Sequence, residues 1–375
     1  MPLITTTVTV GPGVTSTGDV VVVPGVLDVG PGGTIINTVA ADGGVTVIFD
    51  GGTAIGTVLD DGLQEVDGEG VVTTVTGTLI GSTGLEFVFS GGVTSGATVF
   101  KGGLEELFVS GSAVGMTVNG GSATVFSGGT ASGTDVINGG VLTVSSGGTD
   151  KAATVGPGGT LNVLSSGTDS GTSVTGGTMN VSSGGTADHT SVGTGGTMNV
   201  SSGGTASGVS VGSGGTLTVS SGGVVSALTI KDPNDPGVTA AANVLSGGTV
   251  DGSTKIDGGQ LILDAGAVFQ PHAALTIINS GWLVLEQDSF KGTIHDFGGQ
   301  DFMDLTKIRF IGQETAATFT QTSGAGGTLQ VAQGNHVVDL HLTGTYTTAN
   351  FALASDGAHG TLVAFVPNAA LPGHG

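Results

Sequence analysis

One short unit recurs along most of this chain. Residues 195–223 read GGTMNVSSGGTASGVSVGSGGTLTVSSGG, so that a glycine pair, an alternating run and Ser-Ser-Gly-Gly return after a fixed interval. Most intervals between units are 18 or 19 residues. A period near 20 residues is typical of solenoids, in which each repeat forms one turn and stacks on its neighbours. The repeats start at Pro24, Gly43, Asp61, Thr83, Gly102, Gly120, Gly139, Gly158, Gly176, Gly195, Gly214, Thr239, Gly258 and Ser280.

The unit itself predicts short strands joined by glycine turns. In residues 214–223, Leu217 and Val219 alternate with Thr216 and Thr218. Because side chains of a strand point alternately to its two faces, the aliphatic pair is expected inside and the threonines outside. Glycine pairs suit the turns, since glycine adopts positive φ and permits close backbone approach. The alternation predicts two short strands in each unit, and no useful length of the chain has a helical periodicity.

One unit alone has too few aliphatic residues to bury a core. When units stack, their inward positions form continuous columns. The sequence therefore predicts an all-β parallel β-solenoid of about 13–14 coils, with a β-rich cap at its C-terminal end. The predicted core columns contain Leu161, Val163, Met179, Val181, Met198, Val200, Leu217 and Val219. The predicted outward ladder contains Thr160, Asn162, Thr178, Asn180, Thr197, Asn199, Thr216 and Thr218.

The repeats resemble those of a known family. Units such as GGTMNVSSGGTADHTSVGT (176–194) and GGTMNVSSGGTASGVSVGS (195–213) are similar to the 19-residue repeats of AIDA-type self-associating autotransporter adhesins of Gram-negative bacteria. The resemblance covers most of residues 24–285. It implies an extracellular parallel β-solenoid that acts in adhesion, aggregation or biofilm formation, often with sugars on repeat Ser and Thr residues. The sequence departs from the family in lacking the β-barrel translocator and the N-terminal signal.

The repeat pattern ends near residue 285, and larger apolar residues become frequent after it. These residues predict a closing unit. The expected organisation is an N-terminal β-prone segment (1–23), the solenoid (24–285), a capping domain (286–367) and a linker tail (368–375). The closing part resembles that of large secreted bacterial repeat proteins that lack a Sec signal. In some proteins of this kind a hedgehog/intein-like self-cleaving module follows such a linker. Gly375 is therefore a candidate processing end, with a natural stop as the alternative.

Composition excludes several classes of function. Seven Lys and Arg against 29 Asp and Glu give a formal charge of −22, which would repel a nucleic-acid backbone. The absence of cysteine excludes disulfides and thiolate metal sites. No segment approaches the roughly 18 uncharged apolar residues of a transmembrane helix, and the N-terminus lacks the basic and apolar regions of a Sec signal peptide. The expected location is outside the cell or on a bacterial surface.

Few residues point to chemistry. Ser210 lies in a Gly-x-Ser-x-Gly pattern, but its repeat register and the lack of a following helix argue against a nucleophile elbow. Asn180 and Asn199 begin N-glycosylation triplets that are by-products of the repeat. Asp296, Asp301 and Asp304 are weak candidates for a calcium site, because hard oxygen ligands lie close together in sequence. Solvated, turn-forming aspartates are the alternative, and no other cofactor is expected.

The prediction is a non-enzymatic, self-associating adhesive or structural protein whose partners are further copies of itself, forming a homo-oligomer or filament. Extracellular polysaccharide and host or bacterial surfaces are further partners. One alternative is a β-solenoid that binds or degrades polysaccharide, although the few basic residues are too sparse for an evident anionic-sugar groove. A weaker alternative is ice binding, since the outward Thr-x-Asn/Thr ladder is regular over only about four coils.

Overall fold

The chain folds into turns of parallel β-structure. The computed structural model describes residues 2–232 and 240–367, so the linker tail with Gly375 lies outside the described residues. The fold is an all-β parallel β-solenoid of about 16 turns with about 19 residues in each turn, which confirms the predicted fold class. The chain divides into two compact units, Met1–Asp188 and His189–Gly375.

Each regular turn has three short strands, one more than the alternation of the sequence predicts. In one turn these are Thr160–Val163, Thr168–Ser170 and Ser173–Val174, which we assign to the first, second and third faces. The extra corner lies at Gly171, whose φ of 75° ends the second strand. Residues at the same position in neighbouring turns also have positive φ. The corner separates the second-face strand from the third-face strand, which the sequence alone predicts as a single strand.

The first unit contains ten such turns among its described residues. Its first-face strands are Thr7–Val10, Val26–Val29, Val45–Phe49, Leu63–Asp67, Leu85–Val88, Leu104–Leu107, Ser122–Val125, Val141–Val144, Thr160–Val163 and Thr178–Val181. Its second-face strands are Thr15–Thr17, Thr34–Ile36, Thr53–Ile55, Thr73–Thr76, Gly92–Ser95, Ser112–Val114, Thr130–Ser132, Thr149–Lys151, Thr168–Ser170 and Thr186–Asp188. Its third-face strands are Leu3–Ile4, Val20–Val21, Val39–Ala41, Val58–Asp60, Leu79–Ile80, Thr98–Phe100, Thr117–Asn119, Asp135–Ile137, Thr154–Val155 and Ser173–Val174.

Equivalent residues of successive turns pair in register. Leu161 lies opposite Leu142 of the preceding turn and Met179 of the following one. Parallel strands are about 4.8 Å apart, so each inward side chain packs directly on its equivalents above and below. All three of these side chains are fully buried. The core is therefore a set of columns that run along the solenoid axis.

The second unit continues the same architecture with six first-face strands among its described residues. These are Thr197–Val200, Thr216–Val219, Ala241–Val244, Gln260–Leu263, Trp282–Leu285 and Phe302–Leu305. The strands of the other two faces are Ser191–Val192, Thr205–Ser207, Ser210–Val211, Val224–Lys231, Thr249–Asp257, Val268–Phe269, Ala274–Ile278 and Thr293–His295. The turn count exceeds the predicted 13–14 because Thr7–Val10 and Phe302–Leu305 form first-face strands outside the range of the repeat starts.

Antiparallel strands cover the last parallel turn of the second unit. Its closing part contains the strands Thr315–Ser323, Gly326–Gln333, His336–Thr343, Phe351–Ser355 and Thr361–Phe365, and the short 3₁₀ helices Gly312–Glu314 and Thr348–Asn350. The strand Thr361–Phe365 pairs with Phe302–Leu305, and His336–Thr343 pairs with Thr293–His295. These pairings satisfy strand edges that would otherwise be open to other chains.

The glycine pairs of the repeat serve two different physical needs. Gly139 has a φ of 85°, a left-handed conformation that favours glycine, and a Cβ there would have nothing within 4 Å. A Cβ on the adjacent Gly140 would instead collide with the backbone carbonyl of Val118 in the preceding turn. The first glycine is therefore required by backbone conformation and the second by the close approach of stacked turns.

This difference can be tested with one pair of variants. We expect Gly140→Ala to lower the free energy of unfolding by about 2 kcal/mol or more, because backbone must move to admit the methyl group. Gly139→Asn should lower it by about 1 kcal/mol or less, because asparagine tolerates left-handed φ and the site is open. Urea unfolding followed by circular dichroism measures both values, and equal losses would contradict the close-approach explanation.

Candidate functional site

The aliphatic residues expected in the core occupy inward positions. They are the second and fourth residues of four first-face strands, and their side chains have no exposed surface: Leu161, Val163, Met179, Val181, Met198, Val200, Leu217 and Val219. Repetition of these residues thus produces a scaffold, and the outward residues between them form its surface.

The outward ladder is half-buried along its length, and its members are Thr160, Asn162, Thr178, Asn180, Thr197, Asn199, Thr216 and Thr218. In the first unit, Nδ2 of Asn180 donates a hydrogen bond of 2.9 Å to Oδ1 of Asn162. The amide at this N-glycosylation triplet is thus engaged in a ladder between turns. In the turn before Thr160 the equivalent positions hold Val141 and Thr143, so the Thr-x-Asn pattern ends there.

Ser210 lies in a short third-face strand. The strand Ser210–Val211 pairs with Ser191 on one side and with Thr229 on the other. Ser210 is half-buried, and a strand rather than a helix follows it. The strand-to-helix turn that exposes the serine of a nucleophile elbow is therefore not formed at this position.

The three aspartates considered for calcium have different environments. Asp296 is exposed, whereas Asp301 is 2% exposed and accepts hydrogen bonds from three backbone N–H groups. Asp304 lies on the first face, where burial raises the pKa of its carboxyl to about 6, with Asp356 and Glu286 adding repulsion. Within residues 2–232 and 240–367, no group of three or more histidine, aspartate or glutamate side chains could hold a metal ion.

The first unit buries a column of polar side chains that sequence reasoning missed. In four successive turns the second residue of the first-face strand is Thr46, Gln64, Glu86 and then Glu105, and all four are fully buried. Nε2 of Gln64 donates to Oε1 of Glu86 at 2.6 Å. The repeat register of the sequence could have revealed this column. LQEV and LEEL take the same position in their repeats as TLNV does in a later one.

Burial changes the protonation of the two glutamates. Desolvation raises the pKa of Glu86 to about 7, although hydrogen bonds from Gln64 and Thr78 lower it. Desolvation also raises the pKa of Glu105 well above its ordinary value, and the neighbouring Glu86 adds repulsion. Oγ1 of Thr94 donates to Oε1 of Glu105 at 2.9 Å, while Oε2 of each glutamate has no hydrogen-bond partner. The arrangement favours protonated carboxyls in the folded state.

A second buried carboxyl pair lies on the second face of the same unit. Asp150 and Asp169 are opposite each other in adjacent turns, and both side chains are fully buried. Desolvation and the charge of Asp169 raise the pKa of Asp150 to about 8, and desolvation raises the pKa of Asp169 to about 6. Oδ1 of Asp150 accepts from Oγ1 of Thr134, and Oδ1 of Asp169 accepts from Oγ1 of Thr172. Oδ2 of each carboxyl has no hydrogen-bond partner, so the site favours protonated carboxyls.

An aromatic column lies on the surface of the first unit. The rings of Phe89 and Phe108 stack with centroids 4.9 Å apart, and those of Phe108 and Phe126 stack at 5.3 Å. A cleft of about 300 Å³ beside them is lined in part by Asp67 and Glu69. Because the rings face one another along the column, their edges rather than their faces are directed to solvent.

The chain is similar to a solved structure, the crystal structure of a TibA fragment that is hyper-glycosylated by TibC. The two share 29% sequence identity with a TM-score of 0.58, and the match covers 77% of this chain and 94% of that fragment. The likeness supports the AIDA-like β-solenoid that the repeats indicate. No protein-family profile and no curated protein matches the chain. None of the helices in the described parts of the chain is long and apolar enough to cross a membrane.

The buried carboxyls predict an unusual pH dependence. Their folded-state pKa values of about 6 to 8 exceed the unfolded value near 4, so the folded protein binds more protons in this range. The free energy of unfolding should therefore fall as pH rises from about 4 to 8, by at most about 1.4 kcal/mol per pH unit for each proton released. Urea unfolding at pH 5, 6, 7 and 8 measures this slope.

A matched pair of variants separates the buried groups from the general acidity of the surface. Asp150→Asn removes a buried titrating group and keeps a side chain of nearly the same size, so it should reduce the slope and stabilise the protein at pH 8. Asp60→Asn removes one exposed carboxylate and should leave the slope nearly unchanged. Identical slopes for the two variants would contradict the assignment to the buried pair.

Proposed function

We propose that this protein is a secreted, adhesive or structural element of a bacterial surface or extracellular matrix. The observation that carries the proposal is the similarity to the TibA fragment, since that neighbour is an autotransporter adhesin fragment with a solenoid fold. An adhesin-like solenoid favours a structural role over an enzymatic one. Adhesion through repeated, individually weak contacts also suits a chain that repeats one surface many times.

We further propose that copies of the chain associate end to end, with the first turn as one contact. Its strand Thr7–Val10 pairs with Val26–Val29 and, among the described residues, with no second strand. Val8 is 39% exposed, whereas Leu27, its equivalent in the next turn, is fully buried. The edge carries no charge and is rich in β-branched residues, and such edges recruit strands from other chains.

The strand Thr315–Ser323 is a suitable complementary edge. It has nine residues, carries no charge, and has Gly326–Gln333 as its single strand partner among the described residues, while the N–H of Phe319 donates to Oγ1 of Thr348 at 3.0 Å. A contact between two different edges does not close on itself, so it propagates copies into a filament. The net charge of −22 opposes lateral packing, and calcium ions or lower pH should therefore promote association.

Glycosylation of corner serines is a related proposal. The TibA fragment is hyper-glycosylated, and this chain exposes one or two serines at the same corner of successive turns. These are Ser146, Ser165, Ser166, Ser183, Ser202 and Ser221. Their exposure and their regular spacing give a glycosyltransferase repeated, accessible acceptors.

The glycan proposal predicts added mass on the native protein. Intact-mass analysis of protein from its own secreting cells should show additions of whole monosaccharide masses, and peptide mapping should place them on these corner serines. Protein made without a glycosyltransferase is the control. An unmodified native protein would contradict the glycan proposal without affecting that of adhesion.

The end-to-end contact predicts a concentration-dependent increase in sedimentation coefficient. Val8→Lys places a charge at the open edge and should reduce association at least tenfold, whereas Val268→Lys should not. Val268 is a matched control because it is 40% exposed on a side of the second unit. Sedimentation velocity with and without calcium measures association for the parent and both variants.

Two outcomes would contradict this mode of association. A parent protein that stays monomeric at the highest concentration, with or without calcium, would exclude self-association. Undiminished assembly of Val8→Lys would exclude the first turn as the contact.

A further inference from the structure

A polar cleft of about 450 Å³ lies at one corner of the second unit. It is lined by Asp257, Asn279, Ser280, Gly299 and Gln300, which come from three successive turns. These residues immediately precede the first-face strands Gln260–Leu263, Trp282–Leu285 and Phe302–Leu305. Its volume falls within the range of about 300–1,000 Å³ that is usual for small-molecule sites.

The walls of the cleft are held in place by a buried carboxylate. Oδ1 of Asp301 accepts hydrogen bonds from the backbone N–H groups of Ser280 at 3.1 Å and Gly281 at 3.2 Å. Its Oδ2 accepts one from Gly298 N–H at 3.0 Å. One side chain thus ties the corner at residue 280 to the corner at residue 298. The cleft is therefore organised before any ligand binds, which lowers the entropy cost of binding.

The polar groups in the cleft are suited to hydroxyl groups. Oδ1 of Asp257 accepts from Nδ2 of Asn279 at 2.6 Å, and Oδ2 accepts from Nζ of Lys255 at 3.1 Å. The hydrogen bond from Asn279, with that from Lys255, lowers the pKa of Asp257, so this carboxyl is ionised at neutral pH. A carboxylate has about four lone-pair sites, and Asn279 and Gln300 bring both amide donors and carbonyl acceptors. A sugar hydroxyl needs one donor and one acceptor, and this set offers both.

An aromatic pair follows the polar groups in sequence, although neither ring is among the residues that line the cleft. Trp282 follows Ser280 after a single residue, and Phe302 likewise follows Gln300. The two rings lie with centroids 4.8 Å apart, and both side chains are half-buried. Because the two rings are only 4.8 Å apart, they partly cover each other's faces, and they offer a ligand near the cleft an apolar edge and not an open ring face.

The negative charge of the protein distinguishes neutral sugars from anionic ones as ligands of the cleft. Lys255 is paired with Asp257 and balances its charge locally, but the chain as a whole has a net charge of −22, whose field acts on any anionic ligand. A uronic or sialic acid would therefore be repelled, whereas an uncharged hexose would not. We propose that this cleft binds neutral hexose residues of a polysaccharide. This binding does not depend on self-association. It names the class of ligand for the surface role proposed above, on which it rests.

The single tryptophan of the chain makes the proposal directly testable. Purified full-length protein is titrated with maltohexaose, mannohexaose and cellohexaose, and with tetragalacturonate as the anionic comparison, while Trp282 fluorescence and binding heat are recorded. At least one neutral hexasaccharide should give a saturable change in emission and heat at millimolar concentration or below. Tetragalacturonate should bind at least tenfold more weakly.

Three variants locate the site. Asp257→Asn and Gln300→Ala should each weaken binding of the active hexasaccharide at least tenfold while the circular dichroism spectrum stays unchanged. Asp251→Asn is the control, because Asp251 pairs with His272 and is not among the residues that line the cleft. It should bind like the parent.

The proposal is overturned if none of the three neutral hexasaccharides binds, if tetragalacturonate binds as tightly as they do, or if both cleft variants bind like the parent. Because the parent is titrated below the concentration at which it sediments as an assembly, a failure here is independent of the result for self-association.

Discussion

The in-register stacking of parallel strands is the constraint on which the rest of the structure depends. Successive turns are only one strand spacing apart, so every side chain meets its own equivalent in the next turn. Aliphatic residues gain from this arrangement because Leu161 lies in register with Leu142 and Met179, and all three side chains are fully buried. The same spacing leaves no room for a Cβ at Gly140, where the carbonyl of Val118 lies in the way. One geometric rule thus explains both the columns and the glycine pairs.

Stacking also makes buried polar residues interact with one another. Glu86 and Glu105 are adjacent members of one column, and so are Asp150 and Asp169. A lone buried carboxyl already favours its neutral form, and a second one in the next turn strengthens that preference through repulsion. The buried carboxyls of the first unit therefore tend to stay protonated. They make the free energy of unfolding of the protein depend on pH, although solvent does not reach them.

Asp301 shows how position in the fold decides the role of an acidic residue. Its closeness in sequence to Asp296 and Asp304 suggested calcium, but its oxygens accept hydrogen bonds from backbone N–H groups of two corners. A carboxylate used in this way organises the neighbouring backbone. Two of the three turns that line the cleft of Asp257, Asn279 and Gln300 are held together in this way.

The sequence by itself determined the solenoid, its period and the inward register, because these follow from a local alternation and a repeat that are both visible in the text. The alternation of Leu217 with Thr218 is sufficient to assign their faces. Only the tertiary structure decided the third strand of each turn, the burial of Glu105 and the partners of Asp301. The burial of Glu105 and two of the three partners of Asp301 depend on residues about a full turn away, because a neighbouring turn there supplies the charge or the hydrogen bond.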